Sequence, residues 1–102
     1  MASETTRPRD HEITLDQIAE RDLAEQIKRA ASNVVLNLAE AQRLTKGNKA
    51  KLYAIAHGSA NEVLAALRTA VAWGWVDDAS EQLAILDRLL ALLWRSNHPK
   101  RA

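Results

Sequence analysis

The stretch from Gln26 to Ala41, QIKRAASNVVLNLAEA, constrains the fold more than any other part of this chain. Its polar side chains Gln26, Arg29, Asn33, Asn37 and Glu40 recur at steps of 3, 4, 4 and 3, so on a helix they form one narrow strip. Ala30, Val34 and Leu38 lie to one side of that strip, and Val35, Leu36 and Ala39 to the other. A helix so apolar on both flanks has to pack on two sides at once. The polar seam is then either the only wetted strip or a hydrogen-bonded line inside a bundle.

With 102 residues the chain reads as one domain with a small core, and self-association would extend its burial. It has no cysteine, few aromatics and only three glycines and two prolines, which is the profile of an all-α protein. Disulfides and thiolate–metal sites are excluded. The most apolar run, Leu83 to Trp94, contains Asp87 and Arg88 and is too short to cross a bilayer. With no apolar segment after Arg7 and Arg9, no signal peptide is visible, and a cytoplasmic protein is expected. The net charge of +1 conceals an asymmetry: residues 1–25 hold seven acids and three bases, whereas residues 26–68 hold seven bases and two acids.

Residues 1–12 read as a disordered arm, 13–95 as the helical domain and 96–102 as a flexible tail. Thr14 followed by Gln17 is a capping box, with Ile13 and Ile18 placed as a staple, so the first helix is predicted to begin at Leu15. A second start signal, Asp22 with Glu25, allows a break near Arg21. Apolar positions 23, 27, 30, 34, 38 and 41 then keep helical spacing to about Arg43. Thr45, Gly47 and Asn48 mark a turn. A second helix is predicted from about Lys49 to Trp73, with Leu52, Ile55, Ala56, Ser59, Val63, Ala66, Ala70 and Trp73 as its buried stripe. Gly74 is placed as the left-handed residue that ends it. Asp77 or Asp78 is expected to cap a third helix, Asp78 with Glu81 as a capping box. That helix has two apolar seams, Leu83–Leu86–Leu90–Leu93 and Ile85–Leu89–Leu92, and one neighbour needs only one of them.

The motifs Leu23-x-x-Gln26-Ile27-x-Arg29-Ala30-Ala31, Asn37-Leu38-Ala39-Glu40 and Leu52-Tyr53-x-Ile55-Ala56-x-Gly58-Ser59-Ala60-x-Glu62-Val63 resemble a bacterial four-helix-bundle family. That family is named for proteins encoded in intervening sequences of 23S rRNA genes. It also includes the accessory variability determinant of diversity-generating retroelements. The resemblance spans roughly Leu23 to Leu93. It departs from the family at Asn33-Val34-Val35, where a Ser-Ile-Pro run is usual, and at Ala41, where glycine is usual. Only some 20 residues precede the first motif, where the family has a full helix. The resemblance thus implies a shortened, three-helix member, with the fourth helix vestigial or supplied by a neighbour. It also implies self-association, with a pentamer the leading expectation. In one branch it implies a basic surface that binds nucleic acid and a reverse transcriptase.

Four groups of residues carry candidate functions. In the seam, Ser59 falls at the centre of the second helix's stripe and needs a partner, which Ile55, Asn37 or Glu40 could provide. Gly58 permits close helix approach, and Glu62 extends the polar line. A structural network through Gln26, Arg29, Asn33, Asn37, Glu40, Ser59 and Glu62 is the favoured reading. Arg43, Lys46, Lys49 and Lys51 crowd nine residues, with His57 beyond them, and Lys28, Arg29 and Arg68 are candidate extensions. Such a cluster attracts phosphates, although Tyr53 is the only aromatic near it in sequence. His11, His57 and His98 share no metal spacing, and no nucleophile motif is present, so neither an enzyme nor a cofactor is expected. Trp73, Trp75 and Trp94 are expected to seal the ends of the core.

The expectation is therefore an antiparallel all-α bundle of three long helices with a vestigial N-terminal segment. It would form a homo-oligomer through Ile85, Leu89, Leu92 and Trp94 and the outer face of the first helix. The leading function is a non-enzymatic adaptor with a basic surface for RNA or DNA. The alternative is a protein-binding scaffold whose basic junction is merely solvated.

Overall fold

A computed structural model describes residues 14–98, so the arm expected over residues 1–12 and residues 99–102 of the tail lie outside the described residues. Three helices follow one another, α1 (Leu15–Ala41), α2 (Lys46–Ala72) and α3 (Ser80–Asn97), and there is no strand among the described residues. The capping box at the start of α1 is formed: Gln17 N–H donates to Thr14 Oγ1 at 3.1 Å, and Thr14 N–H to Gln17 Oε1 at 2.9 Å. Ile13 of the expected staple lies outside the described residues. No break occurs near Arg21; Asp22 and Glu25 sit within an uninterrupted helix of 27 residues. At about 1.5 Å per residue, α1 and α2 are each about 40 Å long.

Helix α2 starts three residues earlier than the turn signals suggest. Thr45 takes the extended N-cap conformation, and Gly47 and Asn48 fall inside the first turn. Its far end closes as a Schellman motif. Trp75 N–H donates to the Ala70 carbonyl at 2.9 Å and Gly74 N–H to the Val71 carbonyl at 3.0 Å. The reversal requires φ +80° at Gly74, which a side chain would strain. Helix α3 is capped differently from the expectation. Its N-cap is Ala79, and Asp78, one residue earlier, accepts from Ser80 N–H at 2.9 Å, so no Asp78–Glu81 box forms. That bond, with help from the Ser80 hydroxyl, holds the Asp78 carboxyl below its ordinary value of 3.8. Helix α3 also runs two residues past the expected boundary at Arg95.

The packing is antiparallel, with α2 in the middle. Trp75 Nε1 donates to Asp16 Oδ2 at 3.2 Å, joining the end of α2 to the start of α1. Asn97 Nδ2 donates to the Ala50 carbonyl at 2.9 Å, joining the end of α3 to the start of α2. Both outer helices pack on α2, yet no Cα of α1 comes within 8 Å of one in α3. Val34 of α1 and Leu93 of α3 instead close over Ala56 and Ala60, which are fully buried, with Leu38, Tyr53, Leu89 and Leu90 packed around them. The buried apolar residues are otherwise almost all alanine, and among the described residues no large side chain is fully buried.

The inner face of α1 follows the expected spacing: Ala30, Val34 and Ala41 are buried, and Leu23, Ile27 and Leu38 half-buried. On α2 the stripe is narrower than expected. Ile55 and Trp73 are exposed, because only the alanine side of the helix is gripped between its neighbours. Nor do the tryptophans seal the core: Trp73 and Trp94 expose most of their surface and Trp75 is half-buried. Gly58 has no neighbour within 4 Å of where a Cβ would lie, so it does not mediate the helix approach expected of it. The approach is made by Ala56 and Ala60 instead. Among the described residues, no helix is long and apolar enough to cross a membrane.

Candidate nucleic-acid interface

The turn between α1 and α2 gathers positive charge at one end of the bundle. Arg43 lies in the turn, Lys46 and Lys49 in the first turn of α2, and Lys51 just beyond. Arg43 is paired with Glu40 at 2.6 Å, so its charge is partly answered. Lys46, Lys49 and Lys51 take no part in the ion pairs of the described residues, which are Lys28–Glu25 and Arg43–Glu40. Helix α2 begins with no acidic residue in its first turn and no side-chain bond from Thr45. The positive end of its dipole thus coincides with two lysines, where carboxylates would be stabilising. Uncapped first-turn amides beside ammonium groups form an arrangement that favours an anion.

The antiparallel return of α3 brings aromatic rings alongside the first half of α2, beyond the lysines. His98 stacks on Trp94 with ring centroids 3.6 Å apart and planes 14° from parallel. His57 of α2 sits on the other side, 6.3 Å from Trp94 and tilted by 53°. These rings, with Ala54, Leu93 and Asn97, line a small cleft of about 100 Å³. Asn97 anchors α3 there through the Ala50 carbonyl, one turn along α2 from Lys46. Distance along the chain gave no sign of this grouping, since Trp94 lies 43 positions beyond Lys51. The signal was the length of α3: a helix of 18 residues, about 27 Å, folded back along the roughly 40 Å of α2 covers most of it and ends at Ala50, one turn from its start.

Three of the bases expected to extend the patch do not. Arg68 is about 25 Å further along α2 than Lys51 at the ordinary helical rise. Lys28 and Arg29 lie at the middle of α1, about 20 Å from its end at Ala41 at the ordinary helical rise, and Lys28 faces Glu25 at 3.9 Å. The excess of bases between residues 26 and 68 therefore divides over the length of the bundle instead of forming one surface.

The polar seam is partly joined. Asn33 Nδ2 donates to Ser59 Oγ at 3.0 Å, so Ser59 finds its partner across the helix interface, but in Asn33 instead of Asn37, Glu40 or Ile55. Asn37 Nδ2 donates back to the Asn33 carbonyl at 2.7 Å and to Asn33 Oδ1 at 2.8 Å. This line fixes the register of α1 on α2, because Ser59 is buried. Gln26, Arg29 and Glu62 are exposed outside it, and Glu40 turns to Arg43.

Of the second seam of α3, Leu89 packs on the protein's own core, because it lies beside the inward-facing Leu90 and Leu93. Ile85, Leu92 and Trp94 remain about half exposed, and Val35 and Leu36 of α1 are about two-thirds exposed. Among the described residues, no group of three metal-ligating side chains converges.

A family model described as the 23S rRNA-intervening sequence protein matches residues 10–94. Neither the curated proteins nor the solved structures compared with the chain give a match.

Proposed function

The chain belongs to the 23S rRNA-intervening sequence protein family, and from that premise we propose that it is a non-enzymatic, homo-oligomeric adaptor whose basic end binds RNA or DNA. The observation that carries the reading is the start of α2: two lysines on an uncapped helix N-terminus, free of ion pairs within the described residues. Phosphates are the ligands such a site suits best. Trp94, His57 and His98 supply ring faces further along the bundle, with His57 about 12–17 Å along α2 from Lys49 and Lys46, the kind of surface on which unpaired bases stack. Repetition around an oligomer multiplies the charge that one turn presents. The exposed Ile85, Leu92, Val35 and Leu36 support self-association, and the family resemblance favours five copies. Catalysis has no support in the site, and the family is not a known enzyme family.

The test is binding of a labelled single-stranded oligonucleotide, titrated with salt. Affinity is expected to fall steeply as salt rises, and to fall further in Lys46→Glu plus Lys49→Glu. No binding at low salt, or binding indifferent to both lysines, would remove the reading.

A further inference from the structure

The end of the bundle opposite the basic turn carries a cavity of about 620 Å³ between the start of α1 and the end of α2. Two features of its lining point to one class of ligand. Trp73 and Trp75 form one wall, with ring centroids 6.0 Å apart and planes only 20° from parallel. The left-handed turn at Gly74 separates the pair, and Trp73 is 67% exposed. Asp16 and Asp22 of α1 lie along the other wall. The Asp16 carboxylate is held in place by the Trp75 indole N–H at 3.2 Å. No lysine, arginine or histidine lines the cavity among the described residues. Leu15 and Leu23 complete its apolar floor.

Indole faces attract cations through their quadrupole, most strongly where carboxylates balance the charge and apolar walls cover the stem. We propose that this cavity binds the guanidinium of an arginine side chain presented by a partner polypeptide, with the cation over Trp73 and its charge answered by Asp16 and Asp22. A polypeptide suits the site better than a free small molecule, because the cavity is an open-sided groove between two helices and encloses little of an occupant on its own. Charge complementarity points the same way. Besides Asp16 and Asp22, residues 15–27 of α1 carry Glu20 and Glu25 against a single base, Arg21, although Glu25 faces Lys28 at 3.9 Å. The site is independent of the basic end, which lies a helix length away.

The experiment follows tryptophan fluorescence in a Trp94→Phe background, where only Trp73 and Trp75 report. The probe is a short peptide with one arginine, compared with the same peptide carrying citrulline, which keeps the shape and loses the charge. Saturable quenching by the arginine peptide is expected, with affinity for the citrulline peptide weaker by about tenfold. Trp73→Ala and the pair Asp16→Asn plus Asp22→Asn should each abolish the difference, while Trp73→Phe retains part of it with helicity unchanged. Lys46→Glu plus Lys49→Glu should leave it intact. Equal response to both peptides, or no saturable response, would overturn the proposal. So would N-acetylarginine amide binding as tightly as the peptide, which would make the ligand a small cation. Quenching that grows with protein concentration alone and is lost in the Asp16 and Asp22 variant would make the occupant a second copy, and would equally overturn it.

Discussion

The inner surface of α2 and the outer surfaces of α1 and α3 are built the opposite way round from a self-sufficient domain. Inside, where large side chains normally gather, stand Ala56, Ala60, Ala66 and Ala70. Outside stand Val35, Leu36, Ile85 and Leu92. The small inner residues let Val34 and Leu93 reach across α2 and lock three helices into one layer. They contribute little apolar burial in doing so, since alanine has few carbons to hide. The large outer residues hold the apolar area that the single chain leaves wet. The inner surface thus sets the geometry, and in the proposed oligomer the outer surface would supply the drive to assemble.

Leu93→Ala is expected to have the largest effect on the inner side of this contrast. Leu93 is the largest of the buried side chains, and its loss should lower folding stability by about 2–5 kcal/mol in a denaturant titration. A loss below about 1 kcal/mol would mean that the core is not centred on it. Asn33→Ala comes next. It leaves the buried Ser59 hydroxyl without its partner and should cost about 1–3 kcal/mol, with α1 hydrogen exchange accelerating around residue 33. An equal effect from Gln26→Ala would show that the seam acts as a whole and not through Asn33. Gly58→Ala should stabilise by roughly 0.5–1 kcal/mol, since the added methyl meets open space and removes helix-interior glycine. If it instead weakens assembly without weakening the chain, the exposed side of α2 is itself covered by a neighbour.

The smallest expected effect concerns pH. The Asp78 carboxyl has a folded value lowered below 3.8 by the Ser80 amide, then by the Ser80 hydroxyl, against a small opposing effect of desolvation. Its contribution is therefore complete above pH 3.8 and is lost as pH falls from there through the lowered value. Amides in the first turn of α3 should exchange faster over that window, and Asp78→Asn should remove the pH dependence. An unchanged acid limb in that variant would assign the effect elsewhere.

Some signals that act over three or four residues were legible in the sequence, although Asp22 with Glu25 and Asp78 with Glu81, of the same range, were not used as drawn. Thr14 with Gln17, Gly74 at the end of α2, and the inner positions of α1 all depend on local geometry, and all are found where spacing places them. Features that depend on which helix lies beside which were not. Ile55 and Trp73 have the right spacing for burial, but α2 is gripped along its alanines, so they face out. The basic patch was drawn by proximity along the chain, which on a helix becomes distance in space, and so Arg68, Lys28 and Arg29 drop away from it. Trp94 and His98 come alongside the first half of α2 from the opposite end of the sequence, because α3 folds back. Ser59 needs a partner, but Asn33 and Asn37 differ by one helical turn, and only the relative height of α1 and α2 chooses between them.

Sedimentation equilibrium at micromolar concentration, on the unmodified chain and on Leu36→Glu plus Leu92→Glu, tests most directly whether the outer surface drives assembly. A mass several times the 11.3 kDa of one chain is expected, collapsing to one chain in the double variant with helicity retained. A single-chain mass for the unmodified protein at every concentration, with Ile85, Leu92 and Leu36 left in water, would contradict it.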